Sequence, residues 1–254
     1  MQLGATRLPD HGDPSRYPVD WLLDLDMGPN PIRLLEQLLD GMPIERGSRV
    51  LDLGCGRGAT SVFLARELEC EVIAVDLWVD PAEAQAVFDS AEVTQRVRAV
   101  QADVRELPVP EASVDAVVSI DAWEYFGADD AVLAEVARVL RPRGRLGMVT
   151  PALRTEPIGS DSIPDHVRAV VGDEALQWHR PEWWAQQWTA SGRFDDIRSG
   201  FAADGWSDWL GWERMVRARD GDAADTRVVD MLERDGGRQL GFAVVAGRRA
   251  LSSG

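Results

Sequence analysis

The run Val50-Leu51-Asp52-Leu53-Gly54-Cys55-Gly56-Arg57-Gly58-Ala59-Thr60-Ser61 limits the fold more than any other stretch of the chain. Apolar β-type residues lead into glycines at alternate positions, and the apolar-periodic Val62-Phe63-Leu64-Ala65 follows. This pattern reads as strand, tight turn and helix. A ligand is expected on the turn. Gly54, Gly56 and Gly58 carry no side chain to keep it off the backbone, and the free N–H groups of the helix start favour a polar or anionic group. Asp52, just before the turn, repels a dinucleotide phosphate and attracts an ammonium. Two other readings stay open on spacing alone: a plain strand-to-helix turn, and a nicotinamide or flavin domain, whose fingerprint is G-x-G-x-x-G.

The next two strands carry further acids. Glu71-Val72-Ile73-Ala74-Val75-Asp76 reads as a buried parallel strand. Ligands of open parallel sheets gather at carboxyl ends, so Asp76 is placed to accept from two ribose hydroxyls, or else it caps the helix that follows. Leu77 and Trp78 come next, against an adenine face or in the core. A third strand over residues 96–101 runs into Ala102-Asp103-Val104 and then Leu107-Pro108.

The turn D-x-G-x-G-x-G and the later D-x-x-x-L-P together resemble the motifs of class I S-adenosylmethionine-dependent methyltransferases. The resemblance implies a Rossmann-like α/β fold, with a seven-stranded, mostly parallel sheet in the order 3-2-1-4-5-7-6, strand 7 antiparallel, and a helical cap. It implies that Gly54, Cys55, Gly56 and Gly58 hold the methionine end of S-adenosyl-L-methionine. Asp103 would bond the adenine amino group, with the backbone at Val104 on the ring, and Ala102 and Ile120 complete the cofactor set. The implied reaction is SN2 methyl transfer to a small organic acceptor, giving S-adenosyl-L-homocysteine. A silent cofactor-binding protein and a nicotinamide oxidoreductase are the alternatives.

A fourth strand over 114–120 ends in Asp121-Ala122-Trp123-Glu124-Tyr125-Phe126-Gly127. The segment is similar to a methyltransferase subgroup with Asp-Ala-Tyr-His-Tyr-Phe-Gly, and departs from it at Trp123 and Glu124. An acceptor N–H or O–H must lose its proton near the time of attack, which makes Asp121, Glu124 and Tyr125 catalytic candidates. His179 joins them as a base, with His166 second; a lone histidine is equally a structural residue.

Composition narrows the partners. The 254 residues fit one α/β domain, with 1–29 as an N-terminal arm and lid and 151–180 and 201–236 as acceptor-side cap insertions. A net charge of −16 argues against nucleic-acid or anionic-membrane surfaces. The chain has no lysine, which excludes Schiff-base chemistry. Two cysteines, no metal-ligand spacing and no signal-like run point to a metal-free protein of the cytoplasm, a monomer or homodimer.

Along the chain, Asn30 and Pro31 open a helix, and residues 129–140 form another before a turn at 141–145 and a fifth strand over 146–150, stopped by Pro151. Seven of the ten tryptophans lie between Trp178 and Trp212, as an aromatic wall over the acceptor or as packing under the cap. Residues 193–198 and 239–247 are the sixth and seventh strands, with a helical insertion between them.

Overall fold

Valine, isoleucine and leucine recur in five runs that become the parallel strands of one sheet, with β1, β2, β4 and the second half of β5 buried and β3 at the more open edge. The computed structural model describes residues 17–221 and 225–251. The arm expected over the first residues lies outside the described ones, apart from Tyr17, whose hydroxyl donates to Glu67 Oε1 at 2.9 Å.

Seven strands, β1 (Arg49–Leu53), β2 (Glu71–Asp76), β3 (Val97–Gln101), β4 (Val114–Ile120), β5 (Leu140–Leu153), β6 (Phe194–Phe201) and β7 (Leu240–Arg249), take the order β3-β2-β1-β4-β5-β7-β6. The first five pair in parallel, and β7 runs antiparallel between β5 and β6. This is the expected sheet. The helices are α1 (Val19–Asp24), α2 (Pro31–Gly41), α3 (Ala59–Glu67), α4 (Pro81–Ser90), α5 (Asp130–Val139), α6 (Asp165–Val171), α7 (Pro181–Ala190), α8 (Gly205–Asp220) and α9 (Arg227–Asp235).

Strand alternation assigns the two cores. Val50, Val72 and Val118 face Leu34, Leu35 and Leu38 of α2, Phe63 of α3 and Trp212 of α8. Leu51, Ile73 and Val117 face Val132 and Val136 of α5 and Trp184 and Trp188 of α7. Asp52 and Asp76 share the parity of the first face, so their carboxylates turn toward α3 and the glycine turn. Helix α2 starts as its sequence requires, with Asn30 Oδ1 accepting from Ile32 and Arg33 N–H at 3.1 and 3.3 Å and Pro31 in the first turn.

Two expectations about β5 are corrected. Pro151 does not stop the strand, which continues to Leu153 with Pro151 opposite Phe242. The Phe242 carbonyl accepts from Ala202 N–H on the β6 side at 2.9 Å, so Phe242 and Pro151 form a pair that exchanges no hydrogen bonds. The N–H that proline lacks would point toward β4, whose pairing ends at Val149, so the ladder loses nothing. The segment expected as a turn lies inside the strand as a bulge, where the register shifts between Val114 and Ala116 and Arg143 has a left-handed φ of 65°.

The tryptophans of the C-terminal part serve mainly as packing. Trp178, Trp184, Trp188, Trp209 and Trp212 are buried. Trp209 rests on Phe242 with centroids 5.3 Å apart, which fastens α8 to β7.

Candidate active site

The carboxyl ends of β1, β2, β3 and β4 border two adjoining cavities of about 740 and 500 Å³ that share Gly54, Asp76, Trp78, Ala122 and Tyr125. The glycine turn forms their common floor. Gly54 and Cys55 N–H both donate to the Val75 carbonyl, at 2.8 and 3.1 Å, which bends the chain tightly off β1. At Gly58 φ is +94° and a Cβ would lie 2.3 Å from Phe88 Cε1, so only glycine fits where α3 begins.

Asp76 organises that turn. Its Oδ2 accepts from Gly56 N–H at 2.9 Å, and its Oδ1 accepts from Trp78 and Val79 N–H at 2.8 and 3.0 Å. One carboxylate therefore ties the glycine loop to the β2–α4 loop. Asp52 stands behind the turn instead of at the cavity surface: it is fully buried, and Oδ2 accepts from the hydroxyls of Thr60 and Ser61, both at 2.6 Å. Its Oδ1 has no partner among the described residues. Burial pushes this carboxyl up to about 6, against the pull of the two hydroxyls. Asp52 therefore reaches the cavity through its field and not through direct contact. Burial also raises the Cys55 thiol well above its usual range.

The remaining cofactor candidates divide between the cavities. Gly54, Cys55, Gly56, Gly58 and Ile120 line the first, and Leu77, Ala102, Asp103 and Val104 the second. Asp103 is exposed, with Oδ1 accepting from Arg105 N–H at 2.8 Å. Trp78 is 65% exposed and meets Tyr125 edge-on, centroids 4.9 Å apart, at the mouth of both.

The loop between α1 and α2 closes the first cavity. Arg57 Nη1 donates to the Asp26 carbonyl at 3.1 Å, and Trp212 Nε1 donates to Asp26 Oδ1 at 2.8 Å. Met27 Sδ sits 3.0 Å from where a Gly56 Cβ would be, and a Cβ on Gly28 would lie 2.5 Å from Asp121 Oδ2. Asp26, Arg57 and Trp212 escaped the sequence analysis because the partners are far apart in the chain and no local pattern joins them.

Opposite the glycine turn carboxylates outnumber cations, with Arg219 acting on Asp26 at their edge. Asp121 has a left-handed φ of 55° and lines the first cavity; burial first, then the charges of Glu124, Glu213, Glu174 and Asp26, raises its carboxyl well above the usual range. Glu124 is buried behind it, accepts from the Thr150 hydroxyl and is pushed up by burial to about 7. The Tyr125 hydroxyl donates to Glu174 Oε1 at 3.2 Å, and burial raises it as well. The structure thus brings Asp121 and Tyr125 to the cavity wall and leaves Glu124 behind it.

His179 is elsewhere. Its Nδ1 lies 2.5 Å from Glu156 Oε1 and its ring stacks on Trp183 at 3.5 Å, and neither cavity includes it. His166 pairs with buried Asp235 at 3.0 Å, joining α6 to the end of α9.

Residues 50–144 match the family model described as a methyltransferase domain. That stretch runs from β1 to the start of β5, and over it the chain is similar to methyltransferase domains. Over 141 residues it is 33% identical to 27-O-demethylrifamycin SV methyltransferase of Amycolatopsis mediterranei, covering 54% of this chain and 51% of that one. The chain spans about half the length of the curated relatives it matches. Among solved structures, phosphoethanolamine N-methyltransferase 2 of Haemonchus contortus, in complex with S-adenosyl-L-methionine, aligns at TM-score 0.75 and 19% identity over 98% of this chain and 61% of that one. Geranyl diphosphate C-methyltransferase of Streptomyces coelicolor A3(2) aligns at TM-score 0.69 and 16% identity over 97% and 87%. These likenesses establish the fold. No helix among the described residues is long and apolar enough to cross a membrane.

Proposed function

We propose that this protein transfers a methyl group from S-adenosyl-L-methionine to a small, neutral or cationic organic acceptor, leaving S-adenosyl-L-homocysteine. The observation that carries the reading is Asp76, whose two oxygens fasten the glycine turn to the loop bearing Trp78 in the cleft at the strand ends. The residues fit the cofactor. A Cβ at Gly54 would stand 2.4 Å from Ala122 Cβ, so the floor is backbone alone. Asp52 Oδ1, buried without a partner, supplies negative potential beneath the turn where an ammonium would lie. Asp76 would hold the ribose hydroxyls and Asp103 the adenine amino group, with Leu77, Trp78 and Val104 against the ring.

When bound, the cofactor supplies an electrophilic methyl on a sulfonium that departs as a neutral thioether. The protein contributes alignment and exclusion of water. The loop from Leu25 to Asn30, held by Arg57 and Trp212, would cover the methionine end, and Asp121 and Tyr125 would face the acceptor. Asp26, Asp121, Glu124, Glu174 and Glu213 make that end negative, which disfavours an anionic acceptor. Asp121 is the carboxyl best placed to take the acceptor's proton, with Glu124 sharing the charge behind it. The net charge of −16 supports a small-molecule partner over nucleic acid, and the unpaired Cys55 and Cys70 suit a reducing cytoplasm.

The test is incubation with methyl-labelled S-adenosyl-L-methionine and a panel of amines, alcohols, phenols and carboxylates. Label should appear in neutral or cationic members. Transfer confined to carboxylates or phosphates contradicts the acceptor class, and binding without transfer to any member indicates a silent cofactor-binding protein.

A further inference from the structure

At the end of the sheet away from the cleft, a hollow of about 900 Å³ gathers Arg46, Arg141, Arg143, Arg145 and Arg248 beside Glu45 and Asp115. We infer that this hollow binds a phosphate group, held between the guanidinium groups of Arg145 and Arg248. The inference stands independently of the methyl-transfer reading.

Its basis is a pairing that folding alone does not favour. Arg145 on β5 lies directly opposite Arg248 on β7. Counting along β7 from Phe242, which bonds toward β6, makes this a pair without mutual hydrogen bonds, the arrangement in which facing side chains come closest. Like charges so placed repel. The neighbouring arginines are already committed: Arg46 to the Glu67 carbonyl and Glu69, Arg141 to Asp115, Arg143 to Asp195 and Asp196. Arg145 has no hydrogen bond or ion pair among the described residues; Arg248 stands opposite Asp195 on β6, which Arg143 already holds, and makes one long ion pair, at 3.7 Å, with Asp196. Burial and the charge of Arg248 hold the Arg145 guanidinium below its usual range, with Glu45 acting in the opposite sense.

The backbone fixes this arrangement. A Cβ on Gly144 would lie 2.9 Å from the Arg141 carbonyl and 3.1 Å from that of Asp115, so the β5 bulge closes tightly and directs Arg141 and Arg143 to their carboxylates, away from Arg145. Two planar donor forks from facing strand positions, that of Arg145 without a partner among the described residues, suit the several oxygens of a phosphate. A phosphate would also remove the repulsion between them.

The test is calorimetric titration of the full chain with inorganic phosphate and, separately, with adenosine monophosphate at low ionic strength, with chloride as the ionic control. Saturable one-to-one binding is expected; a tighter monophosphate identifies a phosphate ester as the ligand, and a tighter inorganic phosphate identifies the free anion. Arg145→Gln and Arg248→Gln should each weaken binding about tenfold or more, whereas Arg214→Gln on α8 leaves it unchanged. Glu45→Gln should tighten it. In phosphate-free buffer Arg145→Gln should raise Tm, a readout that loss of structure would move the other way. Saturating S-adenosyl-L-homocysteine should not compete. Binding no stronger than chloride, equal affinity in Arg145→Gln, or competition by S-adenosyl-L-homocysteine overturns the inference.

Discussion

Replacing Gly58 by alanine tests how the glycine turn is built. The residue has φ +94°, and an added Cβ would fall 2.3 Å from Phe88 Cε1 and 2.7 Å from Cζ. Phe88 is fully buried on α4 and has little room to retreat. Left-handed backbone costs a residue with a Cβ roughly 1–2 kcal/mol, and forcing a methyl into a packed core costs about 1–3 kcal/mol. The combined expectation is a loss of about 2–5 kcal/mol, or about 0.7–1.7 M in urea midpoint at a slope of about 3 kcal/mol/M for a chain this size. Gly236→Ala is the internal control: φ is +60° there but nothing lies within 4 Å of the added Cβ, so only the backbone penalty applies. Urea unfolding followed by tryptophan fluorescence measures both variants. Phe88→Leu should recover part of the Gly58→Ala loss in a double-mutant cycle, with favourable coupling of about 1 kcal/mol. A Gly58→Ala variant no less stable than Gly236→Ala would refute the close approach of Phe88.

Trp212→Phe keeps the buried ring but removes the Nε1 bond to Asp26, and should speed dissociation of S-adenosyl-L-homocysteine about fivefold in stopped-flow measurements, with stability lowered by about 1 kcal/mol. Glu36 is buried with one oxygen unpartnered, and burial raises its carboxyl to about 7 from 4.5. The folded state therefore favours the protonated form, so its contribution is complete below about pH 4.5 and is lost as pH rises through about 7. Urea titrations at pH 5 and pH 8 should accordingly show a decline with pH that is about 1–3 kcal/mol smaller in Glu36→Gln. Tyr125→Phe loses only the hydroxyl bond to Glu174 and should keep kcat within about threefold, since the ring still meets Trp78; a loss of about 10²-fold would make the phenol a proton carrier.

The sheet was legible in the sequence because its signals are local. Buried parallel strands read as apolar runs, and Asp76 and Asp103 follow two such runs at positions set by strand length. Pro151 misled because its effect depends on which neighbour its missing N–H would face, and β4 on that side stops pairing two residues earlier, at Val149. The C-terminal tryptophans read equally as wall or core, and only the packing of α7 and α8 on the sheet decides for core. The aromatic pair that borders the cleft, Trp78 and Tyr125, comes from two different strand ends. His179 reads in the sequence as a candidate base, yet the Trp183 ring and Glu156 hold it outside the cleft. The latch joining Asp26, Arg57 and Trp212 and the clash point of Gly58 with Phe88 are tertiary contacts with no local signature.

The most direct measurement is isothermal titration of S-adenosyl-L-homocysteine into the wild type and Asp76→Ala. One saturable site is expected, weakened at least about tenfold when the carboxylate holding the Gly56, Trp78 and Val79 N–H groups is removed. Absence of binding to the wild type, or equal affinity in the two proteins, would contradict it.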